Sequence, residues 1–319
     1  MQKYKEIFLF KMEIIFGIDR IEKPFTNPII TLGNFDGIHL GHQKIFKKVI
    51  EEARQVHGES VVITFEPHPL KVLYPEHCPP LLTPFRKKMM LIEKTGIEKV
   101  LCIKFTKAFA EISPVEFVKN ILVDKVKTKK IIVGYNYRFG KGKSGDVEIL
   151  KNHCQRFGVE VEVMEALIID HTIVSSSMIR ELIKEGDVEK ASTLLGRDYP
   201  VIGRVIEGSK RGHTLGFPTA NLEISEELYP KPGVYAVAVE WKHQLFNGLA
   251  NVGFNPTFNA KVFSLEVYIL NFHREIYGDE IQVKFVKRIR DEVRFDSPSQ
   301  LIDQIQKDIK WVKEKVFRN

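Results

Sequence analysis

The stretch "TLGNFDGIHLGH", residues 31–42, decides how the first half of this chain folds. It follows a short apolar run and interleaves two histidines, His39 and His42, with Gly37 and Gly41. Glycines at such a point let backbone N–H groups approach a bulky anion. The amphipathic run that follows reads as a helix, whose positive N-terminal end favours negative charge. At the start of that helix, His39 and His42 can donate hydrogen bonds to phosphate oxygens. No GxxxxGK[ST] phosphate loop stands here, and no third ligand is at hand to make the pair a zinc site. A nucleotide phosphate is the anion that fits.

Outward from this stretch, short apolar runs alternate with longer amphipathic ones. Strands are expected at 29–33, 60–65, 99–103, 130–134 and 159–163, and helices at 41–56, 84–95, 114–123 and 144–157. Such alternation predicts βαβ units and a parallel sheet, which binds ligands at the carboxyl ends of its strands. From about residue 199 the grammar changes to short strand-like runs punctuated by Gly, Pro or Asn, among them "GVYAVAVEW" and "VFSLEVYILNF". Several antiparallel strands in succession predict a small barrel or sandwich. The chain closes on a helix. Ser297 and Gln300 have capping-box spacing, and Pro298 takes the first helical position. Leu301, Ile302, Ile305, Ile309, Val312 and Val316 then form a stripe expected to pack against the barrel. At the seam between the halves, Gly186 and Asp187 read as stop and N-cap between two short helices, and Gly196 ends the second.

Bulk properties bound the function. The 319 residues predict two domains, at about 150 residues each. A net charge of +7 favours anionic partners. Three cysteines without a CxxC pair imply neither a disulfide framework nor zinc, and fit a reducing cytoplasm. The apolar run near the N-terminus is broken by Lys11 and Glu13, so residues 1–11 read as a loose leader before Met12. No segment reaches the roughly 18 uninterrupted apolar residues of a membrane span. A basic chain with a barrel also fits single-stranded RNA, but the interleaved aromatic and basic pattern of such binders is missing. No membrane, nucleic-acid or obligatory protein partner is expected.

"GNFDGIHLGH" resembles the HxGH signature of nucleotidyltransferases, in the form found in prokaryotic bifunctional riboflavin kinase/FAD synthetases. Further motifs follow in that family's order: "FEPHP" (65–69), "VGYNYRFGKGKSGD" (133–146), "SSSMIR" (175–180), "RGHTLGFPTANL" (211–222), "NVGFNPTF" (251–258), "LEVYILNF", "IYGDEI" and "IRDEVRF". The resemblance runs from about Met12 to the end. It implies a Rossmann-like α/β nucleotidyltransferase domain at 12–186, then a six-stranded antiparallel β-barrel riboflavin kinase domain at 187–319 with a C-terminal helix. It implies phosphorylation of riboflavin to FMN, then adenylylation of FMN to FAD, with ATP as co-substrate and Mg²⁺ as cofactor. The alternative is a nucleotidyltransferase acting on another phosphate acceptor.

By the same resemblance, ATP at the first site falls to Gly33, Phe35, Asp36, Gly37, His39, Gly41 and His42, with Ser176, Ser177 and Arg180 facing its phosphates. The flavin there falls to Phe65, Pro67, His68, Asn136 and Arg138. His68, between two prolines, fits either a structural or a flavin-contact role, and many relatives have aspartate where Asn136 stands. At the kinase site, Gly208, Lys210 and Gly212 suit a phosphate-covering loop, although the family often has arginine in place of His213. Thr219 and Asn221 offer hard oxygens for Mg²⁺ and ATP phosphates. Glu266, a carboxylate in an apolar alternating strand, suits a general base toward the riboflavin hydroxyl. Arg290 and Asp291 complete the flavin side.

Overall fold

The computed structural model describes residues 10–208, 215–225, 227–256 and 261–317. Internal contacts divide the chain into two units, Met1–Ser175 and Ser176–Asn319.

The first unit contains β1 (Glu13–Phe16), β2 (Ile29–Leu32), α1 (Leu40–Gln55), β3 (Ser60–Glu66), α2 (Pro69–Leu73) and α3 (Phe85–Glu93). It continues through β4 (Lys99–Lys104), α4 (Lys107–Ala110), α5 (Pro114–Glu116), β5 (Lys130–Gly134), α6 (Val147–Gln155) and β6 (Glu160–Met164), then the small hairpin β7 (Ile168–Ile169) and β8 (Thr172–Ile173). Strands β1 to β6 form one parallel sheet in the order β1-β4-β3-β2-β5-β6. Runs such as "IITL" and "SVVIT" are apolar on both sides because both faces are covered. Ile30, Leu32, Val61 and Ile63 point to one cluster with Val118 and Leu122. The alternate residues Ile29, Val62 and Val100 join Phe46, Val49 and Met89 on the other. Burying one such side chain is worth roughly 1.5–3 kcal/mol.

Five parallel strands were expected and six are present. The sixth, β1, pairs with β4 from Glu13↔Lys99 to Phe16↔Cys102. Its four residues carry too short a period to stand out, and the partner's backbone makes it a strand. The helix expected at 114–123 runs on through Phe117–Lys125 as a π-helix, with the Val126 N–H donating to the Ile121 carbonyl at 2.9 Å.

The second unit opens with α7 (Ser176–Glu185) and α8 (Val188–Leu195). Its strands are β9 (Tyr199–Ile206), β10 (Ala220–Leu222), β11 (Gly233–Trp241), β12 (Gln244–Pro256), β13 (Lys261–Ile269) and β14 (Glu280–Arg290), followed by α9 (Pro298–Lys315). The six strands close an antiparallel barrel, β10-β13-β12-β11-β14-β9, as expected. Tyr199, Tyr235, Val237, Leu265, Val267 and Phe285 are buried to 1% exposure or less and alternate with residues of the outer wall.

The caps of the two short helices follow expectation. Gly186 is left-handed (φ +85°), the Asp187 carboxylate accepts from the Lys190 N–H at 3.0 Å, and Gly196 caps α8 at φ +71°. Helix α8 is tied to the barrel by Lys287 and Glu189, 2.6 Å apart. The capping box before α9 is half formed. Ser297 Oγ accepts from the Gln300 N–H, whereas Gln300 Oε1 accepts from the Asp296 N–H at 3.1 Å, one residue earlier than the motif requires. The stripe of α9 also divides its work: Ile309, Val312 and Val316 pack with Ala236 and Leu249 of the barrel wall, while Leu301 and Ile305 line a cavity.

Candidate active sites

Strand order reverses at β2, because β3 and β4 lie to one side of it and β5 and β6 to the other. Ligands of open parallel sheets bind at the carboxyl end of such a strand. The loop there is tightly coiled, with φ of +49° at Phe35, +89° at Gly37 and +40° at Ile38. Left-handed backbone at non-glycine residues persists only where surroundings hold it, and it concentrates at functional sites. Asp36 supplies the brace. Buried to 5% exposure, its carboxylate accepts from the Leu82 N–H (3.1 Å), the Thr83 N–H (2.9 Å) and the Thr83 hydroxyl (3.0 Å). Thr83 Oγ1 in turn accepts from the Gly37 N–H at 2.9 Å.

His39 caps α1. Its Nδ1 accepts from the His42 N–H at 3.3 Å, which leaves Nε2 as the protonated, donating nitrogen. The two imidazoles stack with centroids 3.6 Å apart and planes 19° off parallel. A Cβ at Gly41 would sit 3.1 Å from His39 Nδ1, so the glycine between the histidines makes room for that stack. Phe35 supports it from below, edge-on to His42 at 5.2 Å and to Phe46 at 4.9 Å. The arrangement presents stacked imidazole edges and a helix N-terminus together, a polar surface suited to a phosphate.

At the end of β3, Phe65 is drawn into an aromatic cluster with Phe105 and Phe109, at 5.8 and 5.9 Å. Pro67 is half-buried, and His68 is buried and caps α2, its Nδ1 accepting from the Leu70 N–H at 3.2 Å. After β5, Tyr135 and Asn136 are exposed, while Tyr137 turns inward and stacks on Phe139. Arg138 reaches Asp146 at 3.3 Å. In the second unit, Ser176 and Ser177 open α7, and Arg180 lies buried one turn along, on the face of Ser176.

The barrel carries a cavity of about 340 Å³ between its outer wall and α9. Leu265 and Val267 point into the barrel interior, so Glu266 points outward into this cavity, half-buried. Thr219 Oγ1 lies 3.5 Å from Glu266 Oε2. Glu266 pairs in register with Asn221 on one side and Asn251 on the other, which sets a carboxylate between two amides on one face. Gly208 belongs here by its backbone: a Cβ would collide with the Asn221 amide. Lys210 and Gly212 lie outside the described residues.

Comparisons with known proteins match the chain to two families in succession. Residues 22–178 match the FAD synthetase family and residues 195–316 the riboflavin kinase family. A bifunctional riboflavin kinase/FMN adenylyltransferase of Buchnera aphidicola from Acyrthosiphon pisum is 37% identical over 301 residues, covering 93% of this chain and 96% of that protein. The protein of the same name from Listeria monocytogenes is 40% identical, covering 88% and 90%, and that from Escherichia coli K12 is 34% identical, covering 93% and 96%. This chain belongs to the bifunctional riboflavin kinase/FMN adenylyltransferase family. Both domains of the family are present, in the order its motifs require. A crystal structure described as a macrolide-efflux protein from Streptococcus pneumoniae shares the fold, with a TM-score of 0.86, 34% identity, and coverage of 94% of this chain and 98% of that one. Among the described residues here, no helix is long and apolar enough to cross a membrane.

Within this family fold, three of the expected site residues have partners inside the chain, and Arg290 also lines the cavity. Asp36 gives its oxygens to the loop at 82–83 and shapes the turn. Arg290 is committed to Asp308 of α9, with Nη2 2.8 Å and Nε 2.9 Å from Oδ2. Asp291 is exposed, paired with Arg288 at 2.6 Å, and not among the cavity's lining residues. The motifs did not reveal Asp308. Its signal was a carboxylate at the seventh position after Leu301, inside the otherwise apolar stripe.

Proposed function

We propose that the barrel cavity phosphorylates riboflavin to FMN and that the turn after β2 adenylylates FMN to FAD, each with ATP. The adenylyltransferase spans 12–186 and the kinase 187–319 in this reading. The observation that carries the reading is the meeting of Thr219 and Glu266 at the cavity, in a chain that also bears the stacked His39–His42 pair at the sheet's switch point.

In the kinase step, Glu266 accepts the proton of the riboflavin 5′-hydroxyl as its oxygen attacks the γ-phosphorus. Positioning dominates such transfers, and the base adds to it. Thr219 and Asn221 offer a hydroxyl and an amide oxygen beside the Glu266 carboxylate, a hard-oxygen set that fits Mg²⁺. The ion would supply charge to the ATP phosphates there. In the adenylyl step, the FMN phosphate is already ionised and needs no base. His39 Nε2 and His42 stabilise charge on the α-phosphate, while Phe65, Pro67, His68, Asn136 and Arg138 border the flavin. Gly33, Gly37 and Gly41 let the backbone come close. ATP as the shared co-substrate and the reduced cysteines Cys78, Cys102 and Cys154 fit the cytoplasm.

The test is a time course of purified protein with riboflavin, ATP and Mg²⁺, resolving FMN and FAD by chromatography. FMN should rise before FAD, and FMN supplied directly should be adenylylated. Conversion of FMN with riboflavin untouched would leave a nucleotidyltransferase alone and remove the kinase reading.

A further inference from the structure

The cavity of the kinase unit has a wall that the barrel does not make. Leu301, Ile305 and Asp308 reach it from α9, and Glu292, Val293 and Phe295 reach it from the segment that leaves β14. Arg290, the last residue of β14, joins these two walls. Its guanidinium forks onto Asp308, with Nε 3.2 Å from Oδ1 and 2.9 Å from Oδ2, and Nη2 2.8 Å from Oδ2. Gln304 Nε2 donates to Asp308 Oδ1 at 2.8 Å, and Arg290 Nη1 donates to the Asp291 carbonyl at 3.0 Å. The pair is well shielded, with side-chain exposures of 20% and 6%. Two residues on, Glu292 accepts from Asn251 Nδ2 at 3.3 Å and lies against Gly253, where any Cβ would strike its carboxylate. Asn251 is the register partner of Glu266.

From this geometry we infer that Asp308 is a positioning residue for riboflavin. Through Arg290 it anchors the start of the 291–295 segment to α9 and so fixes the wall of the cavity that takes the flavin. The inference rests on the kinase reading of this cavity. A forked pair in which all three guanidinium nitrogens donate is rigid in a way that an exposed pair is not. Removing the carboxylate leaves a shielded guanidinium with only its carbonyl partner, and the segment loses its fixed origin. Because Asp308 acts through Arg290, its loss acts on how riboflavin is held and spares the phosphoryl transfer itself.

The experiment compares Asp308→Asn and Asp308→Glu with the parent chain, measuring kcat and KM for riboflavin and for ATP in the kinase reaction. FMN adenylylation in the same molecules serves as a second readout. Asp308→Asn should raise KM for riboflavin by about tenfold, a modest part of what breaking a shielded pair releases. Its kcat and its KM for ATP should stay within about twofold, below the smallest coupling such pairs show, and Asp308→Glu should recover part of the loss. Because Asp308→Asn can weaken folding, Arg290→Lys, which keeps the charge but not the fork, is measured beside it and should also raise riboflavin KM. An unchanged riboflavin KM in Asp308→Asn overturns the inference. So does a fall in kcat with a rise in both KM values together, which marks a structural role only. A parent chain that does not phosphorylate riboflavin overturns the kinase reading instead.

Discussion

His39 and His42 act as one object. The ring stack, the Nδ1 acceptor and the glycine between them make each imidazole depend on the other. His39→Ala therefore removes a donor and the cap of α1 together. FAD formation from FMN should fall by about 10²–10³, the cost of one donor to a transition-state oxyanion, while riboflavin phosphorylation is unaffected. Parallel assays of the two reactions on one preparation check this. Glu266→Gln should do the converse, cutting FMN formation by roughly 10²-fold with added FMN still adenylylated. Glu66 offers a pH test. Burial pushes its carboxyl above the ordinary range, partly offset by Lys88 and Lys71, while burial pushes the Lys88 ammonium down. The folded pKa of Glu66 exceeds its unfolded value of 4.5. Its contribution to stability is therefore fully present below that value and is lost as pH rises through the folded value. Compared with Glu66→Gln, the parent chain should lose stability progressively from pH 4.5 toward neutrality in urea unfolding.

Element by element, legibility followed period and caps. Helix α1 announced itself through its apolar face and its start after the HxGH turn, and α8 through Asp187 and Gly196. Strand β1 did not, because three apolar residues after Glu13 carry too little pattern. The π-helical stretch was equally hidden, since its period departs only slightly from that of an α-helix. Gly186 shows a constraint of both kinds. Its left-handed φ was readable as a helix stop, but the Arg288 and Tyr235 side chains that a Cβ would meet, at 2.7 and 3.0 Å, were not. Gly186→Ala should cost about 1–2 kcal/mol for the left-handed backbone, plus the displacement of Arg288. Chemical denaturation followed on the second unit's own unfolding step measures it.

Across the whole molecule, the reading gives two reactions two separate residue sets, and FMN is the product of one and the substrate of the other. A mixture of His39→Ala and Glu266→Gln proteins should then convert riboflavin to FAD, although neither does so efficiently alone. FMN made by the first variant diffuses to the second. Chromatography of the mixture beside each single variant tests this, and a mixture no better than its components would show that FMN does not pass between molecules.

The sequence by itself determined the class of each unit, because apolar period and turn residues are local properties: a parallel sheet first, a small antiparallel barrel and closing helix second. It also determined the chemistry at hand, since imidazoles, hard oxygens and a misplaced carboxylate are visible one residue at a time. Tertiary structure decided which of these groups are already committed. Asp36 braces the loop at 82–83, Phe65 joins an aromatic cluster, and Arg290 is held by Asp308, 18 positions along the chain. A partner across space leaves no mark on local pattern, and a buried polar group must find one. Which partner satisfies it is therefore settled only when the chain has folded.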